Sequence, residues 1–359
     1  GVPKFIDDID VTCKQLYYTY YTGCITVKTL AWYARKDPPN DYVIWHNARC
    51  QKSIQKAFSG TITDAAAALY NMLWLDYCYS PQKHIWYIYQ QNRWVQLSNI
   101  YKLRKFVSTT LTEAFFTSRN ELGKNPFVNE QYIKAVSRVI MKLLTISFRS
   151  NVVREAQAYF SVNHVSSFLD ANDKLTGTNN GVLEVVDGKV LFRDGKPEDY
   201  ISLTTHIDYN PLLTVEDPLV QKCNSWFHEA FDDISRYRFI NLVANSLFRG
   251  RSSDLSLNGN GSNSISCLQQ LCRETFGDYC QLRFRNTRQP RSRLNIFPEE
   301  EHDKNARDTI RCVGTWVSDT AQLDKHSRCY LADPFFYDKV PALAPAFLWI
   351  LSHEYPNLQ

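Results

Sequence analysis

Apolar residues recur every three to four positions in two long stretches of the first half of the chain, a spacing that predicts amphipathic helices. One helix is expected over residues 64–78, with Thr63 as its N-cap, and a longer helical pattern covers 132–160. Between them, the β-rich runs 85–89 and 93–95 flank a polar turn and predict a hairpin. Its aromatic side chains are expected to pack within the protein, and stacking on nucleic-acid bases is the alternative.

A second hairpin and two further helices are predicted in the middle of the chain. Asp187-Gly188 lies between two β-rich runs, and this dipeptide favours a two-residue hairpin turn. Amphipathic patterns then predict helices over 223–230 and 236–248, the second of which ends before Gly250. The segment between the two halves of the chain is therefore expected to be a small α+β module without an evident catalytic cluster.

A glycine-containing segment follows a short apolar run at 255–257 and precedes a helical pattern over 265–276. Strand, glycine loop and helix in this order form the context of a phosphate-binding P-loop, whose pattern is G-x-x-x-x-G-K-[ST]. The backbone N–H groups of such a loop and the positive end of the following helix bind phosphate. The segment runs from Gly259 to Ser266 but lacks the Gly-Lys pair, so a polar surface turn is the alternative interpretation.

Two charged segments downstream of this loop are candidates for chemistry. The apolar run 294–297 is expected to be a core strand, and Glu299-Glu300-Glu301 follow it, as metal-positioning carboxylates do in P-loop enzymes. A solvated acidic surface is the alternative. Five arginines crowd one short segment: Arg283, Arg285, Arg288, Arg291 and Arg293. They are expected either to contact nucleic-acid phosphates or to form a basic surface loop.

Composition and charge restrict these interpretations only a little. The 359 residues suffice for two or three domains, and 44% hydrophobic residues with 21 Tyr and 20 Phe are typical of a globular protein. A net charge of +4 permits a polyanionic partner without requiring one. The ten cysteines lack zinc-ligand spacing and are expected to be reduced thiols of an intracellular protein, and no apolar run is long enough to span a membrane. The chain starts without a methionine or a signal peptide, so it is expected to begin inside a longer protein.

Short stretches spread over nearly the whole chain follow the order of one known family. They are 31–37, 59–66, 85–87, 92–95, 180–183, 195–202, 333–336 and 343–351, the last of which reads LAPAFLWIL. In this order they resemble the linker after a primase module, the signature that follows it, the domain before a helicase core, and the end of that core. The family is that of the primase–helicases of nucleocytoplasmic large DNA viruses, whose motor is a superfamily-3 AAA+ domain.

The resemblance implies an α+β N-terminal region followed by an α/β AAA+ P-loop NTPase core. Residues 1–110 would be a helical linker region after a primase module, 111–213 a small α+β domain, and 214–359 an incomplete superfamily-3 helicase domain. It further implies an ATP-dependent replicative helicase that translocates on single-stranded DNA at a replication fork as a ring, expected to be a hexamer. Such a protein would act away from membranes in the host-cell cytoplasm, or be carried in the virion.

By the same resemblance, ATP and Mg²⁺ are the expected cofactors. The loop that would hold the triphosphate comprises Gly259, Asn260, Gly261, Ser262, Asn263 and Ser264. Ser264 and Glu299 would hold the metal ion, and Glu299 and Glu300 would orient the metal and the attacking water. A neighbouring subunit would supply an arginine, for which Arg311 is the nearest candidate in this chain.

The loop departs from the family's G-x-G-x-N-G-K-S, and two explanations stay open. If Gly-Lys belongs between Asn263 and Ser264 and is absent from the sequence as given, Ser264 takes the magnesium-binding position. If the loop is continuous, Ile265 stands where lysine should and Ser266 takes the serine position; an isoleucine cannot hold the phosphates by charge. The protein would then be a catalytically inactive, helicase-like structural or assembly protein. A nucleotide-binding protein of unrelated function that shares only the fold is a third reading.

Overall fold

The structure is a computed structural model that describes residues 40–125, 127–250, 252–259, 262–282, 292–297, 308–318, 320–324 and 326–358. The chain forms two compact units, each with its own hydrophobic core. The first unit contains the described residues up to Gln90 together with Trp94–Phe168 and Lys196–Glu198. The second contains Gln91–Arg93, Leu169–Gly195 and the residues from Asp199 onward. The functional division into three parts stays a prediction.

The first unit is mainly helical and includes a small sheet with the order β1-β2-β3. Its helices are α1 (Asn40–Lys56), α2 (Ile62–Leu73), α3 (Tyr101–Phe106), α4 (Thr112–Gly123), α5 (Glu130–Leu143), α6 (Ile146–Phe160) and α7 (Val165–Phe168). Its strands are β1 (Tyr77–Ser80), β2 (Ile85–Gln90) and β3 (Arg93–Gln96). Helix α2 packs against α1 and α6, which encloses the core of this unit. The predicted hairpin is confirmed, and its side chains Trp86, Tyr87, Tyr89 and Trp94 are buried.

Two helix boundaries in this unit differ from the sequence prediction. Helix α2 begins at Ile62 because the Thr61 hydroxyl, rather than Thr63, accepts the N–H of Asp64 at 3.1 Å. The helix also ends earlier than predicted, at Leu73. The long pattern over 132–160 forms two helices, since Thr145 adopts an extended backbone and its hydroxyl donates to the carbonyl of Lys142 at 2.7 Å.

The second unit combines an antiparallel sheet, a parallel sheet and several helices. Its helices are α8 (Pro218–Ala230), α9 (Asp233–Phe248), α10 (Ser262–Phe276), α11 (Phe336–Lys339) and α12 (Ala344–Glu354). Its strands are β4 (Leu175–Gly177), β5 (Val182–Val186), β6 (Lys189–Arg193), β7 (Ser253–Gly259), β8 (Cys280–Leu282), β9 (Leu294–Phe297), β10 (Asp308–Cys312), β11 (Thr315–Val317) and β12 (Cys329–Leu331). The predicted turn at Asp187-Gly188 is confirmed, with positive φ at both residues as a type I′ turn requires.

The parallel sheet has the order β10-β7-β9-β8, so β7 lies in its interior. The predicted strand before the glycine segment and the predicted helix after it are confirmed by β7 and α10, although α10 begins at Ser262, earlier than the predicted start at 265. Helix α10 buries the predicted face of Ile265, Leu268, Cys272 and Phe276. It ends at Gly277, where φ is +50° and a Cβ would lie 2.6 Å from backbone atoms of Thr204 and Thr205. Glycine is therefore required at this helix end.

No helix of the described ranges is both long enough and apolar enough to cross a membrane.

Candidate functional site at the carboxyl edge of the parallel sheet

Strands β7, β9 and β10 run parallel, and their carboxyl ends therefore meet at one edge of the sheet. Gly259 at the end of β7 pairs with Cys312 at the end of β10, and Phe297 at the end of β9 pairs with Ser256. Two residues connect Gly259 to Ser262, the first residue of α10. This edge is where open sheets of parallel strands bind ligands.

The described residues include only part of the predicted phosphate loop. Gly259 is the last residue of β7, and a Cβ there would lie 2.9 Å from the carbonyl oxygen of Cys312, so the close approach of β10 favours glycine. Ser262, Asn263 and Ser264 form the backbone of the first turn of α10. Asn260, Gly261, Glu299 and Glu300 lie outside the described residues. The phosphate, metal and water roles of all these residues stay predictions.

The two residues that follow Ser264 have different environments. Ile265 is 1% exposed and packs in the core of the second unit. Ser266 is exposed and lines a cavity beside α10. An isoleucine held in the core supplies no charge to a phosphate, whereas Ser266 lies at the cavity beside α10.

The cavity beside α10 has a volume of about 470 Å³, which is within the range of small-molecule sites. Its walls come from α8, the first half of α10, β11, and the segment between β12 and α11. The side chains that matter for binding are Trp226, Trp316, Phe336, Lys222, Glu229 and Ser266. Burial raises the pKa of the Glu229 carboxyl above its ordinary value. Aromatic faces and a few charged groups thus converge next to the glycine segment.

Arg293 does not have the predicted role of a phosphate contact or a basic surface residue. It is 5% exposed, and its guanidinium donates to the Thr176 hydroxyl at 2.8 Å and to the carbonyls of Leu247 and Leu175 at 2.6 and 2.8 Å. It also lies 4.5 Å from the centre of the Tyr279 ring. Arg293 therefore joins β4 and α9 in the interior. The other four arginines of the group, Arg283, Arg285, Arg288 and Arg291, lie outside the described residues.

Arg311 lies on β10, where it is exposed and pairs in register with Asn258 of β7. Its predicted role as the arginine offered to a neighbouring subunit stays a prediction. The cavity was not anticipated, because its aromatic residues come from α8, β11 and the start of α11, far apart in the sequence. No spacing rule joins such residues before the fold is known.

The chain is similar to known proteins of large DNA viruses. Residues 66–235 match the family described as D5 N terminal like. Over 293 residues, the chain is 28% identical to a protein of Acanthamoeba polyphaga mimivirus named "Putative helicase". This match covers 78% of the chain and 30% of the mimivirus protein.

Two further relatives match shorter parts of the chain. A "Putative helicase" of Invertebrate iridescent virus 6 is 26% identical over 148 residues, which are 40% of this chain and 15% of that protein. A "Putative primase" of African swine fever virus is 27% identical over 153 residues, 42% of this chain and 16% of the viral protein. The chain therefore spans less than a third of the length of these curated relatives. The chain is thus similar, over 66–235, to the family described as D5 N terminal like, and to proteins named as putative helicases and primases of large DNA viruses.

Proposed function

We propose that the chain is part of an ATP-dependent replicative DNA helicase of a large DNA virus, with a superfamily-3 AAA+ motor in the second unit. The observation that carries the proposal is the position of the glycine segment, between an interior strand of a parallel sheet and a buried helix. This is the structural context in which a P-loop binds phosphate. The similarity to viral proteins named as helicases directs the proposal to a motor that acts on DNA.

In this proposal the N-terminus of α10 binds the phosphates of ATP through the backbone N–H groups of its first turn. Bound Mg²⁺ would neutralise charge on the phosphates during hydrolysis. Ser264 would bind the metal ion from the first turn of α10, and Glu299 and Glu300, which follow β9, would orient metal and water. The ring of subunits, expected to be a hexamer on single-stranded DNA in the host cytoplasm or the virion, belongs to the same proposal.

The test is Mg²⁺-dependent ATP binding and DNA-stimulated ATP hydrolysis by the full chain, compared between Ser264→Ala and Ser266→Ala. The two serines lie two residues apart on α10, so each variant is the matched control for the other. Loss of Mg²⁺-dependent binding in Ser264→Ala alone supports the family register, in which Gly-Lys precedes Ser264. Loss in Ser266→Ala alone supports a continuous loop. Peptide sequencing by mass spectrometry across 258–272 checks the register independently.

The burial of Ile265 favours a second candidate function. With a continuous loop, this core residue stands in the lysine position and supplies no positive charge. The protein would then be a helicase-like structural or assembly module that binds DNA or partner subunits without hydrolysing ATP. In that case ATP should not raise the unfolding temperature of the chain, since a ligand stabilises a protein only if it binds the folded state. Retained DNA binding without any ATP hydrolysis would decide for this alternative.

A further inference from the structure

The cavity beside α10 is close enough to the N-terminus of this helix for one nucleotide to reach both. Ser266, which lines the cavity, is the fifth residue of α10. At a rise of about 1.5 Å per residue, the N-terminus of the helix lies roughly 6 Å further along its axis. The ribose of a nucleotide separates its base from its phosphates, so phosphates at the helix start leave the base beside the first turns of α10.

The chemistry of the cavity walls suits a flat aromatic ligand that carries polar edges. Trp226 and Phe336 contact each other edge to face, with ring centres 4.8 Å apart, and Trp316 forms another part of the wall. Indole and phenyl faces bind nucleobases by stacking. Glu229 can accept a hydrogen bond from an exocyclic amine, and Lys222 can donate to a ring nitrogen or a carbonyl oxygen.

Hydrogen bonds hold the walls of the cavity together without a ligand. The N–H of Val313 donates to the carbonyl of Ala230 at 2.8 Å, which joins the end of α8 to the segment after β10. The Arg328 guanidinium donates to the carbonyls of Phe231 and His228 at 2.6 and 3.1 Å. These bonds fix the C-terminal end of α8 against the β11–β12 pair, and binding therefore costs little ordering of the protein.

A glycine permits the close packing of this wall. At Gly314 a Cβ would lie 2.7 Å from the Trp316 ring and would collide with the carbonyl oxygen of Glu229. The absence of a side chain at this position lets Trp316 lie directly against the end of α8. The position of the Trp316 ring is thus set by backbone packing.

We propose that this cavity binds the base and ribose of the nucleoside triphosphate whose phosphates bind at the start of α10, with the half-buried Trp316 as the stacking residue and Glu229 as the acceptor for an exocyclic amine. The inference rests on the proposed nucleotide-binding function and adds the residues that recognise the base. The affinity for the nucleotide would then have two contributions, one from the glycine segment, which binds the phosphates, and one from the cavity, which binds the base.

The experiment measures binding of ATP and of inorganic tripolyphosphate to the full chain by calorimetry, at equal Mg²⁺ concentration. ATP should bind at least tenfold more tightly than tripolyphosphate, because only ATP has a base to stack. Trp316→Ala should weaken ATP binding about tenfold and leave tripolyphosphate binding unchanged. Trp316→Phe keeps an aromatic face and should lose less, which separates stacking from a folding defect. Tyr237→Ala is the matched control, since Tyr237 is an exposed aromatic residue of α9 outside this cavity.

The outcomes separate this inference from the proposed function. Equal affinities for ATP and tripolyphosphate, with no effect of Trp316→Ala, would overturn the base site and leave phosphate binding by the glycine segment intact. A failure of both ligands to bind would overturn the base site together with the proposed function. Selective loss of ATP affinity in Trp316→Ala, with Tyr237→Ala unchanged, supports the inference.

Discussion

The two units of the molecule differ in charge and in architecture. Counted over all of residues 1–90, 94–168 and 196–198, the sequence of the first unit contains 20 Lys and Arg against 12 Asp and Glu, and the rest of the chain contains 21 against 25. The small net charge of the whole chain is therefore the sum of a basic first unit and a slightly acidic second unit. The described part of the second unit has the parallel sheet, the N-terminus of α10 and the cavity, features that suit a small ligand. We therefore expect a polyanion to bind at the first unit and, under the proposed function, the nucleotide to bind at the second.

Three of the cationic side chains of the first unit lie in a row on α5. Lys134, Arg138 and Lys142 recur every fourth residue and are all exposed, so they share the solvent side of the helix. We call these three residues the α5 stripe. Glu130, one turn earlier, contributes one acid and pairs with Lys134 at 2.9 Å. The opposite side of α5 is buried through Val136, Val139, Ile140 and Leu143.

The largest expected effect comes from the interior of the second unit. Arg293→Met keeps much of the side-chain volume but removes the three hydrogen bonds to Thr176, Leu247 and Leu175. The loss of these three interior hydrogen bonds should lower the free energy of unfolding by about 3–5 kcal/mol. Hydrogen exchange measured by mass spectrometry should show lost protection in peptides of β4, α9 and β9. Peptides of the first unit should keep theirs.

The control for this prediction is Arg273→Met, an exposed arginine on α10 of the same unit. It should change the free energy of unfolding by less than about 0.5 kcal/mol. Equal loss of protection in both units on Arg293→Met would mean that the units unfold together. The two units would then not differ in their free energy of unfolding.

Arg293 also shows which parts of the molecule the sequence can predict. Local patterns predicted both hairpins, the β7 strand and the α10 helix, because turn residues and apolar spacing act within a few positions. Neighbouring arginines suggested a basic loop, yet burial of Arg293 depends on acceptors more than 40 residues away in the chain. Thr63 failed as a helix cap for a local reason, since Thr61 lies at the position from which a side chain reaches the N–H of Asp64. The cavity depends on three distant segments and could not be predicted at all.

A smaller effect is expected at the α5 stripe. Replacing all three cations, in Lys134→Gln/Arg138→Gln/Lys142→Gln, should weaken binding of a single-stranded oligonucleotide about tenfold near 0.1 M salt. The plot of log affinity against log salt should become less steep by about 2. Each phosphate contact on a single strand contributes roughly 0.7 to this slope, and the variant loses three such contacts. Fluorescence anisotropy titrations between about 50 and 200 mM salt would measure both the affinity and its dependence on salt.

The matched control carries the same change in charge at scattered exposed lysines, Lys83→Gln/Lys174→Gln/Lys189→Gln. It should lower affinity only slightly, because dispersed charges do not follow one nucleic-acid backbone. An equal loss of affinity in the two triple variants would show that net charge alone attracts DNA. The α5 stripe would then not be a preferred binding surface of the first unit.

The smallest effect concerns helix caps, which also differ between the units. The first unit caps α5 with the neutral side chain of Asn129, which accepts the N–H of Gln131 at 2.8 Å. The second caps α9 with Asp232, which accepts the N–H of Ser235 at 2.7 Å. Either Asn129→Ala or Asp232→Ala should cost about 1 kcal/mol at pH 7.

The two costs should respond differently to pH. The hydrogen bond from the backbone N–H of Ser235 lowers the pKa of the Asp232 carboxyl below its ordinary value. A carboxyl whose pKa is lowered by folding stabilises the protein fully above its unfolded pKa, about 3.9, and loses that contribution as the pH falls through the lower folded value. The cost of Asp232→Ala should therefore shrink when urea unfolding is repeated below pH 4, while the cost of Asn129→Ala stays constant. If both costs stay constant with pH, the charge of Asp232 contributes nothing to its cap, and the two units are stabilised by the same neutral hydrogen bonds at their helix starts.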